Sequence, residues 1–205
     1  MDADQPTRSA PDLVPTVMTS PMLKAMAHPV RRRIVSVLGA VDHARAADLA
    51  RQLDVPANAV SFHLRALADA GFVEEAPEFA RDRRDRVWKA VNQSWQAGSP
   101  QQPLAPEEEG SLAAYLHQVT IDQQDMMARL AAWAQERAAG RDLEPRGEIS
   151  IGALRLTTAE ARQVFDDVEA VLDRARSLHH ESTDADEAAG VRVWDYTFMA
   201  ARDDT

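Results

Sequence analysis

Four side chains between positions 58 and 65 have the chemistry to read a nucleic acid. Asn58, Ser61, Phe62 and Arg65 are spaced 3, 1 and 3 apart, which sets them along one face of a helix. Asparagine can pair with an adenine edge, arginine with guanine or a phosphate and serine with either, while a phenylalanine ring can press on a thymine methyl. A second group, Arg81, Arg83, Arg84 and Arg86, gathers four guanidiniums, and the interleaved Asp82 and Asp85 lower the local charge to +2. Such long cations reach phosphates or the minor groove, where they position a protein without specifying sequence. A salt-paired loop is the alternative. Arg31, Arg32 and Arg33 form a third basic run, suited either to phosphate or to acidic partners within the fold.

Other chemistries find little support. With no cysteine, disulfides, thiolate metal sites and a cysteine nucleophile are all excluded. Neither GxSxG nor HExxH occurs, and there is no phosphate-cradling P-loop or dinucleotide fingerprint, so an enzyme is not expected. His179, His180, Glu181 and Asp184 group imidazoles and carboxylates within six positions and keep a metal-responsive reading open. Adjacent histidines on a helix project about 100° apart, however, and a cationic histidine is favourable at a helix end in any case. The expectation is no metal and no cofactor. No apolar run approaches the roughly 18 to 20 residues of a membrane span, and Met1 to Thr19 lacks a hydrophobic signal core, so the sequence reads as cytoplasmic with no membrane partner.

The 205 residues carry a net charge of -10, which as an average argues against nucleic acid. Its distribution argues the other way. Residues 20–92 hold 12 Lys and Arg against 9 Asp and Glu, residues 93–205 hold 10 against 21, and residues 1–19 hold 1 against 3. A basic front and an acidic back suit a nucleic-acid-binding module joined to a partner domain.

The elements that would carry these groups follow from apolar spacing. A short helix begins at Ser20-Pro21 and is interrupted at His28-Pro29. A second runs from Val30 to Leu38 with Gly39 as its stop, and a third covers about Ala46 to Leu53. After a turn at Asp54-Val55, Pro56 opens a fourth that lasts to Ala70, with Val60, Leu64 and Leu67 inward and Gly71 as its C-terminal stop. Phe72 to Ala76 and Arg86 to Val91 then read as a β-hairpin whose tip holds the arginine group. Two helices about three residues apart followed by a hairpin make a winged helix-turn-helix.

Beyond it, Asn92 to Gly110 is rich in proline and acid and reads as a linker. Ser111 to Ala139 predicts a helix of about 43 Å. On it Leu112, Leu116, Val119, Met126, Leu130 and Trp133 fall on a heptad seam, with Gln123 in the polar slot. The seam either pairs two copies or packs on its own domain. Glu148 to Leu156 suggests a strand, Thr157 and Glu160 a capping box opening an amphipathic helix, and Val191 to Phe198 a last strand paired with the first. The fold class is α+β and mainly helical: an N-terminal winged helix-turn-helix, a long dimerisation helix and a small α/β segment. The division is a flexible arm (1–19), a DNA-binding domain (20–92), a linker (93–110) and a dimerisation and effector domain (111–205).

The run Met26-Ala27-His28-Pro29-Val30-Arg31-Arg32-Arg33-Ile34, followed by Ala47-Asp48-Leu49-Ala50, Val60-Ser61-Phe62-His63-Leu64-Arg65-Ala66-Leu67 and Ala70-Gly71-Phe72-Val73-Glu74, resembles the ArsR-type winged-helix bacterial transcriptional regulators. The resemblance covers about a third of the chain. It implies a dimeric, promoter-binding regulator, commonly a repressor, and a His63 that packs and hydrogen-bonds inside the domain. Two departures stand out: Asp54 occupies a usual glycine and Pro56 a usual cap, and the cysteine motif of the family's metal sensors is missing. Aspartate tolerates left-handed backbone better than most residues, so the turn can survive. The expected partners are double-stranded DNA as a pseudo-palindromic site, a second copy of the chain, and an unidentified small-molecule effector. The competing readings are a protein-interaction module on a winged-helix scaffold and a His/carboxylate metal-responsive regulator.

Overall fold

The computed structural model describes residues 16–82, 85–91, 95–99, 102–179 and 190–202. Helix α1 spans Ser20–Met26 and α2 spans Pro29–Ala40, the break between them coinciding with His28-Pro29. His28 caps α2, its Nδ1 accepting the Val30 N–H at 3.2 Å. Gly39 does not stop α2. The helix runs through it to Ala40, since a glycine near a helix end costs only about 1 kcal/mol relative to alanine and the packing of Ile34, Val37 and Leu38 outweighs that.

Helices α3 (Ala46–Leu53) and α4 (Ala57–Asp69) enclose the short turn. Asp54 takes the left-handed conformation at φ 53° and ψ 48°, filling the role glycine would otherwise have. Pro56 then sits at the N-cap of α4. Val60, Leu64 and Leu67 are fully buried, each contributing about 1.5–3 kcal/mol of transfer free energy. Gly71, at φ +82°, turns the chain out of α4 into the hairpin.

Strands β3 (Val73–Glu75) and β4 (Val87–Ala90) pair antiparallel, and β2 (Ala44–Arg45), which lies just before α3, pairs on the other edge of β4. Two residues are too few for alternation to reveal β2 as a strand. Val87 and Trp88, neighbours on β4, are both buried, and Trp88 belongs to the main core cluster.

The chain on either side of this module belongs to it. Strand β1 (Thr16–Val17), in the stretch read as a flexible arm, pairs parallel with β5 (Trp95–Gln96), in the stretch read as a linker, and Met18 is buried. Trp95 meets Phe72 edge-on at 4.7 Å between ring centroids. Glu108 accepts the Ser20 N–H at 2.9 Å at the start of α1. The long helix α5, Glu109–Ala138, then packs Leu112 and Tyr115 against the same core. The proline-rich segment thus folds the helix back rather than holding it away.

Among the described residues, none after Trp88 is fully buried. Helix α6, Thr158–Arg176, starts at the expected capping box, with Thr157 and Glu160 bonding reciprocally. Two expectations fail here. Glu148 to Leu156 and Val191 to Phe198 form no strand and no ladder with each other. A strand requires a partner at hydrogen-bonding distance along its length, and the 190–202 segment is instead drawn along helices. Asp195 accepts from Ser36 at 2.8 Å, Thr197 donates to Gln123 at 2.5 Å, Tyr196 bonds Arg176, and Phe198 packs on Phe165. The mainly helical α+β class stands, and among the described residues the strands lie in the N-terminal half.

Candidate nucleic-acid interface

Helix α4 has two unlike faces. The inward one is Val60, Leu64 and Leu67; the outward one carries Asn58, Phe62 and Arg65 exposed, with Ser61 partly so. Phe62 is 61% exposed, a large apolar surface left mostly in water, with its ring edge-on to that of His63 at 5.6 Å. The polar members are held by their own helix. Asn58 Oδ1 accepts the Ala59 N–H at 2.9 Å, Ser61 Oγ donates to Ala57 O at 2.9 Å, and Arg65 Nε donates to Ser61 O at 3.2 Å. These local bonds fix side-chain direction and still leave the serine lone pairs and the terminal guanidinium nitrogens to project outward.

The wing is only partly described: Arg83 and Arg84 lie outside the described residues. Arg81 is exposed, its N–H donating to Asp85 at 3.4 Å. Arg86 leans on Glu75 at 3.3 Å, so at the root of the hairpin one of the four arginines is salt-paired. Lys89 is likewise held by Glu74 at 3.4 Å and Glu78 at 3.0 Å. His43 stacks on Phe79, centroids 3.9 Å apart, and braces the turn that leads into the wing.

The run at 31–33 divides three ways. Arg33 is exposed and Arg31 half-buried, but Arg32 is buried and unavailable to phosphate. Its Nε donates to Asp122 of α5 at 2.6 Å and its terminal nitrogens to Met26 O at 2.6 Å and Gln118 O at 3.4 Å. No local pattern encodes this contact, since Asp122 lies 90 positions away.

One basic group went unnoticed. On α3, Asp48 sits between Arg45 and Arg51, with Arg–carboxylate distances of 2.6 Å on both sides. Burial pushes the Asp48 carboxyl up, and the hydrogen bonds and charges of Arg45 and Arg51 outweigh it, leaving the group below the usual carboxylate range. Arg51 remains 73% exposed in its side chain. The i,i+3 spacing of Arg45, Asp48 and Arg51 was a readable signal.

The seam residues share their contacts with the chain's own segments. Leu112 joins the N-terminal core, Trp133 Nε1 donates to Glu144 O at 3.2 Å, and Leu130 approaches Gly147 so closely that a Cβ there would collide with it. Val119 and Met126 are half-buried, and Leu116 is 50% exposed. His180, Glu181 and Asp184 lie outside the described residues, as does the side chain of His179. Among the described residues no group of three or more His, Asp or Glu is placed to hold a metal, and no helix is long and apolar enough to cross a membrane.

Comparison with known proteins meets this geometry at the same place. Residues 26–76 match the family model of a helix-turn-helix domain. That span opens at the end of α1, takes in α2, α3 and α4, and closes after β3. No curated protein matches the chain. Among solved structures, the C30AH42A mutant of Lactococcus lactis ZitR in apo form is 11% identical, over 72% of this chain and 83% of that one, with a TM-score of 0.32. The YusO protein of Bacillus subtilis is 16% identical, over 76% of this chain and 80% of that one, with a TM-score of 0.31. A likeness of that degree carries no role from those proteins to this one. In the helix-turn-helix pair α3–α4, α4 is the second helix, the position whose exposed face enters the major groove in this motif.

Proposed function

We propose that the protein is a sequence-specific DNA-binding transcriptional regulator, a repressor that binds a pseudo-palindromic promoter site as a homodimer. The observation that carries the reading is the exposed face of α4, Asn58, Ser61, Phe62 and Arg65, on the second helix of the α3–α4 pair within the matched helix-turn-helix domain, with the opposite face of α4 fully buried. Each copy inserts that face into a major groove, and Arg81, Arg83, Arg84 and Arg86 hold flanking backbone. The exposed part of the seam around Leu116, with Val119 and Met126 beside it, supports pairing through α5. The division of labour follows: residues 20–92 read DNA, and 111–205 supply dimer contacts and the place for a small-molecule effector. The sign of regulation rests on the ArsR-type resemblance.

Fluorescence anisotropy of the purified protein on a DNA fragment from its own upstream region, with an unrelated fragment as control and at two salt concentrations, tests this. Salt-sensitive, fragment-selective binding supports it. Absence of binding to any duplex at low salt overturns it and favours the second reading, a protein-interaction module, to which the net charge of -10 and the salt-paired Arg86 lend themselves.

A further inference from the structure

Beside the apolar core that α2 and α4 share, two imidazoles meet where α4 passes the N-cap of α2. The rings of His28 and His63 lie 4.5 Å apart between centroids, tilted by 49°. His63 is buried on α4, between the exposed Phe62 and the buried Leu64, and its ring meets the Phe62 ring edge-on at 5.6 Å. Its Nδ1 is buried without a hydrogen-bond partner, and so is Nε of Arg31 nearby. His28 uses Nδ1 as an acceptor for the Val30 N–H. That role needs an unprotonated Nδ1, and it sits at the positive end of a twelve-residue helix, where a cation is disfavoured.

The charges acting on the pair are all positive: Arg31 on both rings, and Arg32 and a charged His63 on His28. The carboxylates of neighbouring elements are engaged elsewhere. Asp122 of α5 is held by Arg32, Asp48 of α3 by Arg45 and Arg51, and Glu74 and Glu75 of β3 by Lys89 and Arg86, while the one ionisable group of α1, Lys24, is exposed. Burial first, then this surrounding charge, holds both imidazoles below their ordinary value of 6.5.

We propose that His28 and His63 form a proton-sensitive latch that seats the reading helix α4 against α2, so that acidification releases α4 and with it the DNA. A proton on His28 converts the cap acceptor into a donor facing the Val30 N–H, and a proton on either ring sets a cation beside Arg31 with no anion to answer it. The sign follows. Both rings are neutral in the fold and take up protons more readily when unfolded, so the stability they contribute is intact above about pH 6.5 and is lost as pH falls below it toward their folded values. The opposite trend is what simple electrostatics predicts for DNA affinity, because added positive charge should strengthen phosphate binding on acidification.

The inference rests on the DNA-binding reading only for its output, and two measurements separate them. Thermal unfolding without DNA from pH 5.5 to 8 should give a midpoint that falls with acid in the wild type and is nearly flat in His28→Asn/His63→Gln, since asparagine keeps a cap acceptor and neither replacement titrates. Anisotropy at fixed ionic strength should give at least a tenfold loss of affinity between pH 7.5 and 5.5 in the wild type and little change in the variant. If the double variant fails to fold, His28→Asn alone and NMR titration of the two wild-type imidazoles decide: titration below 6.5 with loss of α4 amide signals supports the latch. Imidazoles titrating at the ordinary value, equal acid sensitivity in wild type and variant, or tighter DNA binding at low pH overturns it. No DNA binding at any pH removes the reading of function, while the melting arm still decides the latch.

Discussion

Replacing Asp122 with asparagine should loosen α5 from the helix-turn-helix domain by a measurable amount. In the fold the Arg32 side chain is 9% exposed and that of Asp122 38%, so the pair is closed on one side and open to water on the other. Removing one partner of a fully buried pair costs about 3–5 kcal/mol because an uncompensated charge stays behind. An exposed pair contributes about 0–1 kcal/mol. Arg32 keeps its bonds to Met26 O and Gln118 O in the variant, which places the expected loss between those limits, at about 1.5–3 kcal/mol. For a chain of this size that corresponds to a fall in the thermal midpoint of roughly 3–12 °C. Circular dichroism melts of wild type, Asp122→Asn, Arg32→Met and the double variant at pH 7 close a double-mutant cycle, with a coupling of about 1–2 kcal/mol expected. An Asp122→Asn variant within about 0.5 kcal/mol of wild type, together with an additive cycle, would refute the claim that this ion pair ties α5 to the domain.

Arg65→Ala should weaken binding to the specific site by about 1–3 kcal/mol and relax selectivity at one base pair, read by anisotropy on matched and mismatched duplexes. Phe62→Ala should leave the unfolding free energy in urea within about 0.5 kcal/mol of wild type, because the ring is mostly in water, yet lower affinity for DNA. Gly39→Ala should stabilise the protein by about 0.5–1 kcal/mol: the position is helical and an added methyl meets nothing within 4 Å. A fragment ending at residue 92 should be far less stable to urea than one extended through α5, since Trp95, Leu104, Leu112 and Tyr115 all pack on the core it would keep.

Much of the N-terminal half was legible because its signals are local. The apolar spacing of α2, α3 and α4 is set by the period of the helix, and Val60, Leu64 and Leu67 could face inward only if Asn58, Phe62 and Arg65 faced out. Asp54 is the instructive case. A residue that departs from the usual glycine still adopts φ 53°, because its short polar side chain tolerates that region. The same local reasoning failed at Gly39, where packing of the helix outweighed the punctuation, and in 148–156 and 191–198, where alternation marks a capacity to pair but supplies no partner.

The sequence by itself determined the helices, the hairpin, the direction of the α4 face and the absence of thiol chemistry, all of which depend on residues a few positions apart. Only the tertiary structure decided that Arg32 is an internal ligand of Asp122, that residues 16–17 and 95–96 pair across the supposed arm and linker, and that His28 meets His63. Those outcomes depend on which distant side chains the folded backbone brings within a few ångströms, and no short-range period in a chain encodes that distance.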